Sequence, residues 1–383
     1  MDFELNEEQC MLRDATERFA RERLAPFARQ REKDHDIAPE TIRELGGQGL
    51  LGVNIPATLG GSEAGVVAYA LAVRAVSAAD ASVAVTMAVT NMVGEVITQF
   101  GSDAQKKTHL PKLTSGEYFG GAFALSEPGA GSDAASLSTR AERRGDGWLL
   151  NGAKMWITTG DRAGVLVVWA RSAGEGAKGI SCYLVEKDTP GVSFGRPEEK
   201  MGLRASHTVS VNLADVEVPD TALLGCEGQG FHIAMMALDG GRIGVGSQAL
   251  GIGFAALDKA SHYALERQQF GKPIAEHQAI RFKLADMATD LDAAWLLTLR
   301  AAWLKENGRR FSREAAMAKV VASEAANRAT REAVQVLGGY GYMEEYEVGR
   351  LMRDCRVTQI YEGTSEVQRL VISRDLLRSG VVA

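Results

Sequence analysis

Residues 280–301 read IRFKLADMATDLDAAWLLTLRA, and this stretch decides the architecture of the C-terminal part of the chain. Apolar and small side chains recur there at alternating steps of four and three residues, which places them along one side of a long helix. A seam with this period is typical of helices in a bundle or a coiled coil. The seam consists of Ile280, Leu284, Met287, Leu291, Ala294, Thr298 and Ala301.

A second long helical pattern covers residues 314–337, and two glycines follow it directly. Gly338 and Gly339 can adopt the positive φ with which many helices end. Helical patterning begins upstream of the seam, at about Phe231. We therefore predict a helical domain over residues 227–383.

Upstream of this domain, residues 121–226 have a different pattern. Short runs rich in β-branched and aromatic residues, separated by Gly, Asp, Asn and Pro, are typical of strands. The intervals leave no room for a helix of useful length, which favours an antiparallel sandwich or barrel over a parallel sheet. The predicted strands cover residues 148–150, 154–159, 165–170, 180–186 and 208–213.

The N-terminal region, residues 1–120, is helical again. Leu12, Ala15 and Phe19 share one helical face, with charged residues between them. Residues 66–76 and 82–100 are apolar and rich in helix formers, and the second stretch carries so few charges that we expect it to be buried on most sides. The three regions together predict an α+β protein with helical, antiparallel β and helical domains in that order.

Composition narrows the range of partners. The 383 residues carry a formal net charge of -6, which gives a nucleic-acid partner no electrostatic support. The four cysteines form no C-x-x-C pair and the six histidines do not pair with them at ligand spacing, so we expect free thiols and no metal. The N-terminus lacks a signal pattern and no run of 18 apolar residues occurs, so we expect a cytoplasmic protein, or one of an organelle matrix after processing, without a membrane span.

Two motifs in the β region could contact a ligand. Residues 125–133 read LSEPGAGSD, in which the glycines permit close backbone approach and Ser126 and Ser132 add hydroxyl donors. A surface turn explains this segment equally well. Residues 155–160 read MWITTG, in which Trp156 could stack on a flat ring while Thr158 donates to its edge. A buried structural tryptophan is the alternative.

Three motifs in the C-terminal region could also carry chemistry. Residues 239–242, DGGR, would open the C-terminal helices and fix a polar ligand, unless Asp239 only caps the helix. Residues 267–274, RQQFGKPI, form a loop whose Arg267 could face a phosphate or solvent. Residues 360–366, IYEGTSE, place Glu362 in apolar surroundings that suit a tunable general base, with residues 364–366 capping a helix over 367–377.

These motifs, in this order, resemble the acyl-CoA dehydrogenase family, most closely its short-chain (butyryl-type) branch. The resemblance extends from about residue 5 to residue 377. It is most specific in GSDAQKKTHLPKLTSGEYFGGAFALSEPGAGSDA, NGAKMWITTG, ALDGGRIGVGSQALGI, ERQQFGKPI, FKLADMA, EAAMAK, QVLGGYGY and IYEGTSEVQRLVI. The family fold is an N-terminal helical domain, a β domain and a C-terminal four-helix bundle, in agreement with the pattern above.

The resemblance implies an activity and its partners. Glu362 would remove the α-proton of an acyl-CoA, FAD would accept the β-hydride, and the product would be a trans-2-enoyl-CoA. Electrons would pass to electron-transfer flavoprotein, and the enzyme would be a homotetramer. Isovaleryl-type members carry the base near the DGGR segment instead, but Gly240 and Gly241 supply no carboxylate here. An acyl-CoA oxidase, another flavin enzyme, or a dehydrogenase for a cyclic or dicarboxylic acyl-CoA remain alternatives.

Binding residues are also implied by the resemblance. Acyl-CoA contacts are expected at Ser132, Asp239, Arg242, Tyr361 and Gly363. Within the FAD set, residues 267, 270, 278 and 335–339 would act from a partner subunit. The complete FAD set is Phe123, Leu125, Ser126, Gly131, Ser132, Trp156, Ile157, Thr158, Arg267, Phe270, Gln278, Gln335, Val336, Gly338, Gly339, Thr364, Ser365 and Glu366.

Overall fold

The computed structural model describes residues 4–379, and these residues form an α+β protein with the predicted order of helices, sheet and helices. Three helices in the N-terminal part begin at capping side chains. Asn6 and Gln9 form a capping box at the first of them, and Asp80 accepts hydrogen bonds from the N–H groups of Ser82 and Val83. The helices are α1 (Glu7–Phe19), α2 (Ala28–Asp34), α3 (Pro39–Gly47), α4 (Val66–Ala79), α5 (Ala81–Phe100) and α6 (Asp103–Thr114).

Helices α4 and α5 form the centre of the N-terminal part, as their composition predicts. Both are apolar around most of their circumference, and most of their side chains are buried. Within residues 4–379, α5 alone is long and apolar enough to cross a membrane, but 78% of its apolar window is buried inside the protein. That burial is what a central helix of a packed domain shows.

A seven-stranded sheet follows, in the order β1-β4-β2-β3-β7-β6 with β5 pairing β4. The predicted runs 148–150 and 154–159 are one strand, whose pairing shifts register on either side of Gly152 and Lys154. Three short strands were not predicted, because two contain few residues and the third is mostly charged. The strands are β1 (Gly121–Ala124), β2 (Arg140–Arg144), β3 (Gly147–Thr158), β4 (Val165–Arg171), β5 (Ile180–Glu186), β6 (Val192–Phe194) and β7 (Thr208–Pro219).

The prediction of a purely antiparallel arrangement is wrong for one pair of strands. β1 and β4 run parallel, with Gly121 opposite Val165 and Ala124 opposite Val168. The chain between them is long enough to include β2 and β3, so it can return to the starting end of β1 before β4 begins. A single bridge between β2 and β4 is parallel as well, whereas the other pairs within the sheet are antiparallel.

The C-terminal part is helical, and the predicted seam is confirmed. Met287, Leu291, Ala294, Thr298 and Ala301 are buried against neighbouring helices, while the first two seam positions are half-buried. A small hairpin interrupts the helices where a loop was predicted. The elements are α7 (Gly230–Glu266), β8 (Gln268–Gln269), β9 (Lys272–Pro273), α8 (Gln278–Glu306), α9 (Ser312–Leu337), α10 (Val348–Cys355) and α11 (Ser365–Ser379).

Helix boundaries in this part correct one prediction and support two. The DGGR segment does not open the C-terminal helices, because α7 begins at Gly230 and passes through it. Asp239 therefore cannot cap that helix. Gly338 ends α9 with φ 60° and ψ -131°, so the predicted terminating glycine has a positive φ but not the left-handed helical conformation. Thr364 caps α11 by accepting a hydrogen bond from the Val367 N–H at 3.3 Å.

A buried ion pair ties β3 to the loop after β1. Lys154 Nζ lies 2.7 Å from Glu127 Oε1, and both side chains are almost completely buried. Glu127 also accepts hydrogen bonds from the N–H groups of Ser138 and Thr139, at 2.6 Å and 3.0 Å. Burial alone would raise the pKa of Glu127, but the charge of Lys154 and these hydrogen bonds lower it to about 2. Burial lowers the pKa of Lys154 to about 8, so the pair that holds the loop is ionised at neutral pH.

We predict that Lys154→Met destabilises the protein by about 3–5 kcal/mol, because it leaves the Glu127 charge buried without its cation. Chemical denaturation followed by tryptophan fluorescence measures the change. Arg328→Met is the matched control, since the Arg328–Asp290 pair is about half exposed and its loss should cost less than about 1 kcal/mol. Equal effects of the two variants would contradict a structural role for the buried pair.

Candidate active site

Glu362 lies on a tight loop between α10 and α11, and side chains of α9 and α11 hold this loop by hydrogen bonds. Glu362 and Gly363 both have positive φ, 54° and 83°. Gln368 Nε2 donates to the carbonyl oxygens of both residues, at 3.0 Å and 2.9 Å. Lys319 Nζ donates to the Gly363 carbonyl at 2.6 Å. A non-glycine residue at positive φ is strained, and these three hydrogen bonds keep Glu362 in that conformation.

The carboxylate of Glu362 rests on a glycine of α7. A Cβ atom built on Gly241 would lie 2.7 Å from Glu362 Oε2 and 3.2 Å from the sulfur of Met92. Any side chain at position 241 would therefore displace the carboxylate or the thioether. The absence of a side chain at Gly241 makes room for the acid, and this close approach is the reason for glycine at that position.

Glu362 as a whole is half-buried, but the enclosure of its Oε2 makes it a weak acid. Its Oε2 has almost no accessible surface and no hydrogen-bond partner within residues 4–379. Burial raises the pKa of Glu362 to about 7, against the opposing charges of Lys319 and Arg242. A carboxylate with this pKa is half ionised at neutral pH and can both accept and return a proton, which suits general base chemistry.

The predicted DGGR residues are brought to the same place by α7. Arg242 is buried and forms an ion pair with Asp239, one helical turn earlier, and Asp239 also accepts a hydrogen bond from Ser312. The Arg242 Nε atom is buried and has no partner in the described part of the chain. The segment therefore contributes a glycine and a fixed cation to the surroundings of Glu362, although its position within the helix was not predicted.

Two tyrosines border the carboxylate on other sides. Tyr361 donates a hydrogen bond from its hydroxyl to Gln248 Oε1, and Gln248 in turn donates to the Ala81 carbonyl at 3.1 Å. Tyr69 of α4 is buried beside α7, where a Cβ on Gly244 would lie 2.6 Å from its hydroxyl. Burial and the charges of Glu95 and Glu362 raise the pKa of Tyr69, so it is neutral at physiological pH.

The two β-region motifs meet at one edge of the sheet. The Met155 N–H donates to the Ser126 carbonyl at 2.9 Å, which joins the loop 125–132 to the end of β3. Trp156 has φ 62° and is 59% exposed, so the structural, buried alternative is wrong for this residue. Gly131 and Ser132 are exposed, Ser126 and Thr158 are half-buried, and Leu125 is buried.

Two residues of the predicted FAD set, Ile157 and Phe123, have side chains that pack inside the protein. Ile157 is buried in the core of the β domain, so only its backbone could reach a ligand. Phe123 packs against Trp169 with ring centroids 4.3 Å apart and retains part of its surface. Ser365, the first residue of α11, is buried with its hydroxyl unpaired within the described residues, and Glu366 is exposed.

A second group of predicted residues lines a cleft of about 500 Å³ between α7, the hairpin and the end of α9. Arg267, Val336, Gly338 and Gly339 all contribute to this cleft. No atom of the described chain lies within 4 Å of a Cβ built on either glycine, so the backbone is open to a ligand. Beside the cleft, Phe270 is 93% exposed, and Gln278 and Gln335 are exposed as well.

These surfaces fit FAD. A half-exposed tryptophan, hydroxyl donors and flexible glycines border one edge of the sheet, as a flat polar ring requires. The cleft offers Arg267, exposed backbone at two glycines and an unburied aromatic ring, which suit a pyrophosphate and an adenine. Within residues 4–379, no group of three or more His, Cys, Asp or Glu side chains could hold a metal ion.

Three residues of the site carry no prediction from the sequence: Lys319, Gln368 and Tyr69. A fourth, Met92, lies in the stretch 82–95, which the sequence predicted to line the acyl end of the substrate. All four lie within helices. Lys319 had a signal, because it is a lysine on the alanine-rich face of α9, where Ala315, Ala318 and Ala322 are fully buried. A charge at such a position requires a partner inside the protein.

Comparison with known families and structures shows which proteins this chain is similar to. Three acyl-CoA dehydrogenase family models match the chain: the N-terminal domain over residues 6–117, the middle domain over 122–216 and the C-terminal domain over 228–377. The human protein "Short-chain specific acyl-CoA dehydrogenase, mitochondrial" is 48% identical over 98% of this chain and 92% of its own.

Solved structures are similar over the same length. Butyryl-CoA dehydrogenase from Megasphaera elsdenii superposes with a TM-score of 0.96 at 45% identity, covering 99% of this chain and 100% of that one. A glutaryl-CoA dehydrogenase from Mycobacterium smegmatis, solved in complex with FADH2, has a TM-score of 0.93 at 31% identity, covering 99% and 97%. The resemblance seen in the sequence is confirmed at the level of the family and the fold.

We predict that Glu362→Gln stabilises the protein at pH 8 and not at pH 5. The folded-state pKa of Glu362, about 7, lies above its ordinary value of 4.5, so its contribution to stability is complete below pH 4.5 and is lost as the pH rises through 7. Glutamine removes the cost of ionising the buried acid, about 1–3 kcal/mol at pH 8. Melting temperatures of both proteins at the two pH values measure it.

Glu217→Gln is the control for this comparison, because Glu217 lies on the exposed face of β7 with 71% of its side chain accessible. It should change the melting temperature by the same small amount at both pH values. If the offset between Glu362→Gln and the original protein were also independent of pH, Glu362 would not be a buried acid with a raised pKa.

Proposed function

The chain belongs to the acyl-CoA dehydrogenase family, and we propose from this premise that it oxidises a short-chain acyl-CoA to the trans-2-enoyl-CoA with Glu362 as the base. The observation that supports this assignment is the buried Oε2 of Glu362, which has no partner in the described part of the chain and rests on Gly241. An unpaired buried carboxylate costs stability and persists where chemistry needs it.

Glu362 removes the α-proton in this proposal. The α-proton of a thioester is too weakly acidic for a carboxylate in water, so the base needs a site without water and the enolate needs donors. The backbone N–H of Glu362 is one donor for the thioester oxygen, and such a donor contributes about 2.7–4 kcal/mol to the transition state. Lys319 and Gln368 hold this loop, so the carboxylate and the N–H keep a fixed relative direction.

The remaining half of the reaction belongs to the cofactor. Bound FAD would supply the acceptor for the hydride of the β-carbon. Loop 125–132 and Trp156 would hold its ring at the sheet edge, with Thr158 and residues 364–366 alongside. The cleft at Arg267 and residues 335–339, with Phe270 and Gln278, would hold the phosphates and adenine of FAD bound to a neighbouring subunit. Ser132, Asp239, Arg242, Tyr361 and Gly363 would contact the acyl-CoA.

The surroundings of Glu362 support a short acyl group. Met92 of α5 approaches Gly241, and the stretch of α5 before it is apolar, with Val85 and Val89 retaining only a small accessible surface. We expect this stretch to line the acyl end of the substrate. Beyond it the Tyr361 hydroxyl is bonded to Gln248, which is also bonded to the carbonyl at the start of α5. This chain of hydrogen bonds crosses between the base loop and two helices and would stop a longer acyl chain.

The proposal includes partners. Electron-transfer flavoprotein would accept the electrons, as in the family, and a homotetramer would complete the cofactor site. Phe270, 93% exposed, and Tyr342, 85% exposed, lie on the surface near the cleft and would be covered in such an assembly. A cytoplasmic or organelle-matrix location fits these partners.

We predict that butyryl-CoA bleaches the flavin absorbance of the anaerobic holoenzyme and that Glu362→Gln slows this reduction by about 10²–10⁴-fold, because the base is lost. Stopped-flow absorbance measures the rate, and straight, branched, cyclic and dicarboxylic acyl-CoAs are compared in parallel. Glu217→Gln, on the exposed face of β7, is the control and should reduce at the original rate. Unchanged reduction by Glu362→Gln would reject this base, and rapid oxygen consumption during turnover would favour an oxidase.

We also predict that Gly241→Ala slows flavin reduction at least about tenfold. The new Cβ would lie 2.7 Å from Glu362 Oε2, so the carboxylate must move away from its place beside the substrate. Gly47→Ala is the matched control, because no atom lies within 4 Å of a Cβ there. Full activity in Gly241→Ala, with flavin content equal to that of the control, would show that the carboxylate does not need this position.

A further inference from the structure

We propose that Lys319 is a positioning residue for Glu362, acting through its hydrogen bond to the Gly363 carbonyl and through the attraction of its positive charge for the Glu362 carboxylate. The inference rests on the proposed function, in which Glu362 is the base. It assigns to Lys319 two tasks: to hold the strained base loop in place and to keep the buried acid ionisable near neutral pH.

Burying the ammonium group of Lys319 costs stability, and a role in positioning Glu362 would explain why a lysine is there. It lies in α9 with no accessible surface, between fully buried alanines at positions 315, 316, 318 and 322. Its ammonium group makes one hydrogen bond within residues 4–379, to Gly363 O at 2.6 Å. A buried ammonium group with two unused donors is destabilising, so packing alone does not explain a lysine there.

The hydrogen bond from Lys319 to the Gly363 carbonyl is next to Glu362 in the chain, so it affects the direction of the Glu362 carboxylate. Gly363 follows Glu362 directly, and both residues have positive φ. Lys319 from α9 and Gln368 from α11 donate to the same Gly363 carbonyl, so two helices hold one peptide group. Rotation of that peptide would turn the Glu362 carboxylate away from Gly241, and Lys319 opposes this rotation.

The charges around Glu362 single out Lys319. Arg242 of α7 also attracts the carboxylate, but it already forms an ion pair with Asp239. Tyr69 of α4 and Tyr361 beside the base are neutral, since burial raises the pKa of each hydroxyl. From α5 the carboxylate meets the uncharged Met92. Lys319 is thus the cation that no other carboxylate neutralises by direct contact among the described residues.

Burial and three neighbouring charges determine the pKa of Lys319 itself. Burial lowers the pKa of Lys319 to about 8, while Glu362 and, from α11, Glu366 raise it and Arg242 lowers it further. The pKa of Glu362 is about 7. The pH range in which the base is ionised while Lys319 is still a cation therefore lies between about 7 and 8.

Three substitutions separate the two tasks. Lys319→Met removes both the charge and the hydrogen bond, Lys319→Gln can keep a hydrogen bond without the charge, and Lys319→Arg keeps the charge. The pKa of Glu362 is read from the infrared carboxyl band of the resting holoenzyme between pH 5 and 9, with the band identified by its loss in Glu362→Gln. The pH profile of flavin reduction by butyryl-CoA, the flavin content and the melting temperature are measured on the same samples.

We expect both neutral variants to raise the pKa of Glu362 by about one unit or more, because the attracting cation is gone. The ionised fraction at pH 7 then falls roughly fivefold or more, so flavin reduction slows at pH 7 and recovers at pH 9. Lys319→Arg should keep a carboxyl pKa near the original value. Lys319→Met alone should remain slower at high pH, because its loop is also released.

Lys283→Met is the matched control, since Lys283 pairs with Glu332 at the half-exposed surface of α8 and should leave both profiles unchanged. The proposal is overturned if the neutral variants keep the original carboxyl pKa and pH profile and lose only thermal stability. If Lys319→Met does not fold, Lys319→Gln and Lys319→Arg decide the charge. If no acyl-CoA reduces the flavin of the original protein, the proposed function fails, while the infrared titration still tests Lys319.

Discussion

The site depends on one constraint: a carboxylate must be kept away from water, directly against a helix backbone, without being neutralised. Glu362 meets this constraint because Gly241 leaves space for its Oε2 and because α5 closes the same space with the side chain of Met92. Burial weakens the acid, and two cations limit the effect. Three features therefore determine the pKa of Glu362 together: the loop that carries it, Gly241 and Lys319.

Helix α7 connects the surroundings of Glu362 to the rest of the molecule. At its start the indole of Trp169, in β4, donates to the Gly230 carbonyl at 2.7 Å, which fixes the helix to the β domain. Further along it passes beneath Glu362 at Gly241, pairs Asp239 with Arg242 and reaches Gln248, which is bonded to Tyr361 and to the start of α5. One helix thus connects strand β4 of the sheet to the surroundings of Glu362.

Specific residues show how far the sequence predicted this site. Short motifs marked Glu362, Trp156 and Arg267 as candidates, because each combines a chemically distinct residue with neighbouring glycines or threonines. The exposure of Trp156 and the cleft at Arg267 and Gly338 are visible only in the structure. The DGGR segment was placed at a helix start, since Asp followed by two glycines is typical of one. Only the packing of α7 against α4, α5 and α9 makes a continuous helix through two glycines stable at that point.

The sequence alone determined the class of fold and the candidate base, because helical and strand periodicities and the YEG motif are local properties of the chain. The tertiary structure decided that β1 pairs with β4 in parallel and that the side chain of Ile157 faces the core. It also decided which residues surround Glu362. Gly241, Met92 and Lys319 come from three separate helices, and no local pattern relates them. Proximity between distant segments depends on the packing of the complete chain, and this packing sets the pKa of Glu362.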